Sequence, residues 1–296
     1  MSGNTVNTPM MAATGPAAAA AAGHVRNGGI GAASAAAGHV ALDEALARNW
    51  IEFLFQPKID LGQKRLVGIE ACARARHPEH GLVTPDLFLP GAGTASLLAF
   101  SERALSATLA AGAAFAGLDR GLRMSVDIPA EAAAALPLAD IVGRARPRFA
   151  HWPGLVIELA EDGVCRDPAL ADRLAASLSP LGVTLALDNF GSALAAFSAL
   201  PNLPFAEIKI GSGLVHDCGT ERTKAQSCRA AIDLAHRFGV TATAVEIEKA
   251  ADALALISMG CDCGQGFLLG RPMPQERLTA LLRQRSAPQG GTRSAA

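Results

Sequence analysis

Residues 53–72 read FLFQPKIDLGQKRLVGIEAC, two apolar runs joined by a short polar connection. We predict strands at Phe53–Ile59 and Leu66–Cys72, with Asp60-Leu61-Gly62-Gln63 at the turn between them. A connection of this length is typical of a hairpin, whereas parallel neighbours need a crossover of about a dozen residues or more. One strand of this pair should therefore run antiparallel to the rest of the sheet.

Downstream of the hairpin, short apolar runs alternate with longer Ala- and Leu-rich segments of helical periodicity. This alternation predicts an α/β fold with parallel strands and crossover helices. The further predicted strands are Leu122–Asp127, Leu155–Glu158, Val183–Leu187, Ala206–Ile210, Val240–Val245 and Cys261–Gln265. The segments of helical periodicity include Leu97–Phe115, Pro168–Ser179, Thr220–Phe238 and Lys249–Met259.

Composition divides the 296 residues into three regions. Residues 1–40 contain no Leu, Phe, Trp, Lys, Asp or Glu and predict a disordered Ala/Gly-rich arm. The run Ala17–Ala22 is too short to span a bilayer, and no basic residue precedes it as in a signal peptide. Residues 41–285 have the length of an eight-stranded α/β barrel, and residues 286–296 predict a flexible tail.

Charge, aromatic content and cysteine spacing exclude several classes of protein. With 26 basic and 27 acidic residues, 11 Phe, 2 Trp and no Tyr, the chain offers neither the charge nor the stacking surface for non-specific nucleic-acid binding. Its six cysteines lack the spacing of a zinc knuckle, and a chain of this length needs no disulfides. We therefore expect a cytoplasmic protein in a reducing compartment, without membrane association.

Polar residues stand at or near the C-terminal ends of the predicted strands, which converge on one face of a barrel. A lone acidic residue there is usually a helix N-cap, but four carboxylates from four strands would repel one another. Oxygen-bound Mg²⁺ or Mn²⁺ would relieve that repulsion. A lysine at such a strand end is either a surface residue or a cation that faces phosphate oxygens. The residues are Glu70, Asp127, Glu158, Asp188, Asn189, Lys209 and Gln265.

Around these positions the sequence resembles the EAL-domain family of bacterial cyclic di-GMP phosphodiesterases. Glu70-Ala71-Cys72 stands where that family carries Glu-Ala-Leu. Many further segments match in family order, and together they span about residues 53–275. They are FQPKI at 55–59, RARHP at 74–78, GLVTP at 81–85, SVD at 125–127, ELAE at 158–161, LDNFGS at 187–192, IKI at 208–210, QGF at 265–267 and RPMP at 271–274.

The resemblance implies a modified (β/α)8 TIM-type barrel with an antiparallel first strand, in agreement with the hairpin. It also implies two divalent metals that activate a water for in-line attack on one phosphodiester bond of cyclic di-GMP. The candidate metal ligands are Glu70, Asp127, Glu158, Asp188 and Asn189, with Asp188 bridging. The candidate catalytic residues are Lys209, Glu70 and Glu248. The residues that would contact the dinucleotide are Gln56, Arg74, Gln265 and Pro272. Glu161 would order a loop that is tied to metal binding and dimerisation in the family.

The sequence departs from the family at the metal ligands. Asp127 replaces an Asn, and Asn189 replaces the second residue of an Asp-Asp pair. The two changes conserve charge, but a neutral amide neutralises a dication poorly, so a second metal would lose an anionic ligand.

Further departures remove carboxylates near Lys209. Gly211 replaces an Asp, and Val245 replaces the first Glu of Ala-Glu-Gly-Val-Glu, of which Glu248 remains. Glu246 replaces the Gly of that motif and, by strand alternation, should point away from where Val245 points. We therefore do not expect Glu246 to compensate. Cys72 for Leu and Ala75 for Trp alter the pocket further.

Three functions remain open at the level of sequence. The first is a degenerate EAL domain that binds cyclic di-GMP or a protein partner, including a second copy of itself, and regulates without hydrolysis. The second is a slow metal-dependent phosphodiesterase that gives the linear dinucleotide. The third, a purely protein-binding module, fits poorly with the retained Gln56, Arg74 and Lys209.

Overall fold

A computed structural model of the chain describes residues 40–118, 121–148, 152–191 and 204–286. The predicted N-terminal arm before residue 40 lies outside these residues, as does the tail beyond Ser286. Ser286 itself, expected to begin that tail, ends the last helix. Within the described ranges, no helix is both long and apolar enough to cross a membrane.

Eight strands close into a barrel, in the ring order β1-β9-β8-β7-β6-β5-β4-β2, and the β1–β2 pair completes the ring. The short strand β3 is attached to β2 outside the ring; three residues are too few for the sequence pattern to reveal it. The strands are β1 Ile51–Asp60, β2 Arg65–His77, β3 Gly81–Val83, β4 Arg123–Asp127, β5 Leu155–Ala160, β6 Val183–Phe190, β7 Phe205–Ile210, β8 Thr241–Ala244 and β9 Cys263–Gly264.

The hairpin at the start of the barrel confirms the predicted antiparallel strand. β1 runs antiparallel to both of its ring neighbours, β2 and β9, whereas β2 pairs in parallel with β4. Both strands are longer than predicted, since β1 spans Ile51–Asp60 and β2 continues to His77. Their register places Gln56 directly opposite Glu70, which brings two predicted site residues together at the outset.

Helices cover the outside of the barrel, as the alternating pattern predicted. In the longest of them, α3, the buried residues Leu105, Leu109 and Phe115 lie on one face, and the helix packs on β4. A Cβ at Gly112 would lie 3.0 Å from Met124 Cγ, so glycine permits the close approach of α3 to that strand. The helices are α1 Leu42–Ala47, α2 Pro85–Phe88, α3 Thr94–Ala116, α4 Ala130–Ala135, α5 Leu138–Ala145, α6 Glu161–Arg166, α7 Pro168–Leu178, α8 Ser212–Val215, α9 Arg222–Arg237, α10 Ala250–Ser258 and α11 Gln275–Ser286.

A second, smaller apolar cluster joins α1 and α2 to the start of the hairpin. It contains Val40, Leu42, Ile51, Phe88 and Phe100, all buried. Val40, which composition had assigned to the N-terminal arm, is only 4% exposed and is part of this cluster. The packed unit therefore includes Val40.

Candidate functional site

Lys209 is the centre of a buried polar cluster inside the barrel. It lies on β7, and its Nζ donates to Glu70 Oε2 on β2 at 2.8 Å and to Glu158 Oε2 on β5. Asp188 Oδ1 on β6 lies 3.5 Å from the same Nζ. The structure thus brings together three of the acidic residues that the strand pattern placed at one face, with the predicted lysine among them.

Glu70, Asp127 and Glu158 form a close group of carboxylates. One oxygen from each lies within 4.8 Å of the others, and the three residues come from the adjacent strands β2, β4 and β5. Glu158 Oε1 is buried without a hydrogen-bond partner among the described residues. A buried carboxylate oxygen with no donor, beside two further carboxylates, fits an oxygen-bound divalent cation such as Mg²⁺ or Mn²⁺.

Burial and mutual repulsion control the protonation of this group. Burial, then the charge of Glu158, raises the pKa of Asp127 well above its usual value. Burial and the charge of Glu70 raise the pKa of Glu158 to about 7, against the opposing effect of Lys209. Burial also opposes ionisation of Glu70, but the ammonium of Lys209 outweighs it and lowers the pKa of Glu70. A cation at this point would favour the ionised form of all three.

Two glutamines and a cysteine surround Glu70. Gln265 Nε2 donates to Glu70 Oε2 at 3.0 Å, and Gln56 Nε2 donates to the carbonyl oxygen of Gly270 at 3.0 Å. Cys72 Sγ lies 3.7 Å from Glu70 Oε1, where it is a weak donor. Burial raises the pKa of Cys72 well above its usual value, so the thiol stays neutral and is no nucleophile.

A cleft of about 550 Å³ opens above the carboxylates. Asp127, Glu158 and Asp188 lie at its polar end, and its walls come from the α2–α3 connection, the start of α4 and α6. The walls are largely apolar, with Leu97 and Pro129 among them. Such a cleft, apolar with a few convergent polar groups, is the usual form of a small-molecule site.

A smaller cavity, lined in part by Lys209, shares Asp188 with the cleft. Two of the three positions where the sequence lacks an expected carboxylate, Asn189 and Val245, line this smaller cavity. The third, Gly211, follows β7 and lies beside Asn189. A Cβ at Gly211 would lie 3.3 Å from Asn189 Oδ1. Asn189 has a φ of 61°, in the left-handed region that asparagine tolerates better than most residues.

Glu246 corrects one expectation from the sequence. We expected its side chain to point away from Val245, but both residues line the small cavity, together with Glu248. The physical reason is that β8 ends at Ala244 and Glu246 has a φ of 57°, so strand alternation no longer applies. Glu246 Oε2 lies 3.8 Å from His216 Nε2.

Three predicted residues lie away from the cavity linings. Arg74 is completely buried in β2, where its Nη1 donates to the carbonyl oxygen of Ala73 at 2.6 Å. Glu161 is buried at the first position of α6, and Pro272 is half-buried beyond β9. Most of the loop that Glu161 was expected to order, including Ser192, lies outside the described residues. The roles assigned to these residues stay predictions.

A second buried ion pair, which was not predicted from the sequence, lies in the barrel. Lys58 Nζ on β1 lies 2.5 Å from Glu207 Oε1 on β7, and both side chains are buried. Their charges stabilise each other, so the pKa of Glu207 is lowered and that of Lys58 is raised despite burial. The signal was present: Lys58 follows Gln56 by two residues and Glu207 precedes Lys209 by two, so each faces the same side as its neighbour.

The family comparison agrees with this geometry. The model of the family described as EAL domain matches residues 39–272. The chain belongs to the EAL domain family. Similar proteins include the bifunctional diguanylate cyclase/cyclic di-GMP phosphodiesterase MucR of Pseudomonas aeruginosa, 32% identical over 244 residues that cover 81% of this chain and 35% of MucR. Another is the cyclic di-GMP phosphodiesterase RocR of the same organism, 27% identical over 228 residues that cover 76% of this chain and 58% of RocR.

Solved EAL domain structures have the same barrel. The P. aeruginosa MucR phosphodiesterase in complex with c-di-GMP matches with a TM-score of 0.72 and 31% identity, covering 80% of this chain and 97% of that one. The FimX EAL domain of P. aeruginosa, bound to c-di-GMP, matches with a TM-score of 0.67 and 24% identity, covering 78% and 94%. The predicted TIM-type barrel is therefore confirmed, and this EAL domain belongs to a family with named cyclic di-GMP phosphodiesterases.

Proposed function

We propose that this EAL domain is a cyclic di-GMP-binding regulator with little or no hydrolytic activity. The observation that carries the proposal is the asymmetry around Lys209. Lys209 Nζ donates to the carboxylates of Glu70 and Glu158, whereas in the small cavity that Lys209 lines, Asn189 and Val245 stand at two positions where the family pattern supplies carboxylates. The groups that bind an anionic dinucleotide are retained, and those that would hold and deprotonate an attacking water are depleted.

Binding is supported by the cleft and its polar end. A nucleotide whose phosphates face Lys209 would place its bases along the apolar walls near Leu97 and Pro129. Gln265 Oε1 is buried without a hydrogen-bond partner among the described residues and is an acceptor for a donor on the ligand. Gln56, Arg74 and Pro272 are the further contacts that we propose. Solved EAL domains with this fold include two in complex with c-di-GMP.

A divalent cation belongs to this proposal. Glu70, Asp127 and Glu158 would hold Mg²⁺ or Mn²⁺, and a bound ion would supply Lewis-acid activation of water for in-line attack on the phosphodiester. Lys209 would orient the phosphate through its ammonium. Glu248, in the small cavity, is the carboxylate left to accept a proton, but Val245 and Gly211 leave it without the two further carboxylates that the family pattern supplies.

The alternative is a slow phosphodiesterase that releases the linear dinucleotide. One observation favours it: the close group Glu70, Asp127 and Glu158 retains enough carboxylates for a cation beside Lys209. The two functions differ in turnover, not in ligand.

The proposal concerns the barrel alone, because the chain spans 35% of MucR and 58% of RocR. A protein partner or a second copy of the chain would receive the signal of nucleotide binding. All six cysteines are free, which supports a reducing compartment such as the cytoplasm.

Calorimetric titration with cyclic di-GMP, with and without Mg²⁺ or Mn²⁺, tests this function. We expect saturable binding at about one dinucleotide per barrel, with conversion to the linear dinucleotide at or near the background rate. The linear dinucleotide and GTP serve as controls for the selectivity of binding. Absence of cyclic di-GMP binding would overturn the proposal, and rapid conversion would establish the alternative.

A further inference from the structure

The carboxylates of this site are unevenly distributed. Among the described residues, one close group of three potential metal ligands exists, formed by Glu70, Asp127 and Glu158. Glu246 and Glu248 line the neighbouring cavity but do not join a group of this kind. Glu158 Oε1, buried and without a hydrogen-bond partner in the described structure, leaves one lone-pair direction available for a cation.

The side of the site nearest Asp188 is different. Its sequence neighbour Asn189 offers a neutral amide, and Gly211, beside Asn189, offers no side chain. Val245 lines the cavity there with an apolar group. Asp188 is not part of the close carboxylate group found among the described residues.

The two sides of the site therefore differ in whether they can bind a divalent cation. The ions of a dinuclear site lie about 3.5–4 Å apart, so each needs its own anionic ligands to offset their mutual repulsion. The three-carboxylate group meets that need for one ion. On the Asp188 side, Asn189, Gly211 and Val245 contribute no carboxylate, and among the described residues Asp188 is not part of a close group of three ligands, so this side does not meet the need for another ion.

We propose that this EAL domain binds a single divalent cation, with Asp127 as an anionic ligand beside Glu70 and Glu158, in place of a dinuclear centre. The inference rests on the proposed function in that it concerns the same site. It adds that the site holds one ion and not two, and it makes Asn189 the reason that a second ion is absent.

Mn²⁺ is the probe for the test, because it can be counted by calorimetry and its electron paramagnetic resonance distinguishes isolated ions from coupled pairs. We expect about one Mn²⁺ per chain and the spectrum of an isolated ion. Asp127→Asn should weaken the Mn²⁺ affinity by about 10- to 100-fold or more, because the loss of even an outer-shell partner has an effect of that size. The substitution is isosteric, and circular dichroism checks that the variant folds.

A charge-conserving swap provides the matched control. Asp127→Asn combined with Asn189→Asp leaves the net charge of the site unchanged but moves one carboxylate to the Asp188 side. We expect the single variant Asn189→Asp to take up a further Mn²⁺ and show a coupled spectrum, whereas the swap should lose affinity at the first position.

Two results would overturn the inference: two Mn²⁺ ions per wild-type chain, or an Mn²⁺ affinity that Asp127→Asn leaves unchanged. Absence of Mn²⁺ binding would overturn it as well. Absence of Mn²⁺ binding would also remove the cation from the proposed function, but dinucleotide binding is tested separately, by titration with cyclic di-GMP in metal-free buffer. Loss of dinucleotide binding would contradict that function even if one Mn²⁺ were bound.

Discussion

The ammonium of Lys209 lies 2.8 Å from Oε2 of Glu70, although their strands, β7 and β2, stand on opposite sides of the closed ring. The pair crosses the interior of the barrel and is buried at both ends. Since a buried charge without its partner is strongly unfavourable, the contact forms only when the ring has closed in the correct register. Barrel closure and assembly of the site are therefore one event.

Hydrolysis should respond to restoration of the missing carboxylates. The variant Asn189→Asp, Gly211→Asp, Val245→Glu should convert cyclic di-GMP to the linear dinucleotide faster than a nearly silent parent, because each positioned electrostatic group is commonly worth about 10²- to 10³-fold in rate. The gains should not simply add, since the groups act as one unit. Gly211 has a φ of −66°, which an Asp adopts without strain.

Chromatographic separation of the dinucleotides with Mg²⁺ or Mn²⁺ present measures that conversion. The same triple variant with Lys209→Met is the control and should be silent, which assigns the gain to this site. A parent that already turns over about once per second would contradict the degenerate site and support the alternative function.

Arg74→Ala should weaken cyclic di-GMP binding about tenfold or more, if its guanidinium contacts a phosphate as we propose, because a charged hydrogen bond contributes about 1.5–3 kcal/mol. Arg74 is 0% exposed, so the substitution should also lower the melting temperature. Calorimetry well below that temperature separates the two effects. A destabilised variant with unchanged affinity would show that Arg74 has only a structural role.

Lys58→Met should destabilise the barrel by about 3–5 kcal/mol, because it leaves the carboxylate of Glu207 buried without its cation. The double variant Lys58→Met, Glu207→Leu removes both charges and should recover much of the loss. Urea unfolding of the parent, both single variants and the double variant gives the coupling energy. Additive losses in the double variant would show that the two residues do not stabilise each other.

Deletion of residues 1–38 should leave the melting temperature nearly unchanged, because that segment contains no Leu, Phe or Trp and too few other large apolar side chains to offset its ordering entropy. Val40 and Leu42 are different, since both are buried against the hairpin. A deletion that continues through Leu42 should therefore lower the melting temperature by several degrees or more. Differential scanning calorimetry of the two truncations measures the contrast, and equal melting temperatures would contradict it.

Periodicity and connection length were sufficient to predict much of the fold. The short turn between the first two strands required an antiparallel pair, and the strand–helix alternation that follows required parallel strands and crossovers. Because parallel strands present their carboxyl ends to one face, the sequence also predicted that Glu70, Glu158 and Lys209 would meet. These are consequences of local pattern and chain connectivity, which a sequence contains.

Only the tertiary structure decided which way several side chains face and what they contact. Glu246 lines the small cavity because its backbone is left-handed beyond the end of β8, a conformation that alternation does not describe. Lys58 pairs with Glu207 because ring closure brings β1 within reach of β7, although the two residues are 149 positions apart. Long-range register and backbone conformation are set by packing of the whole barrel, so no local stretch of sequence contains them.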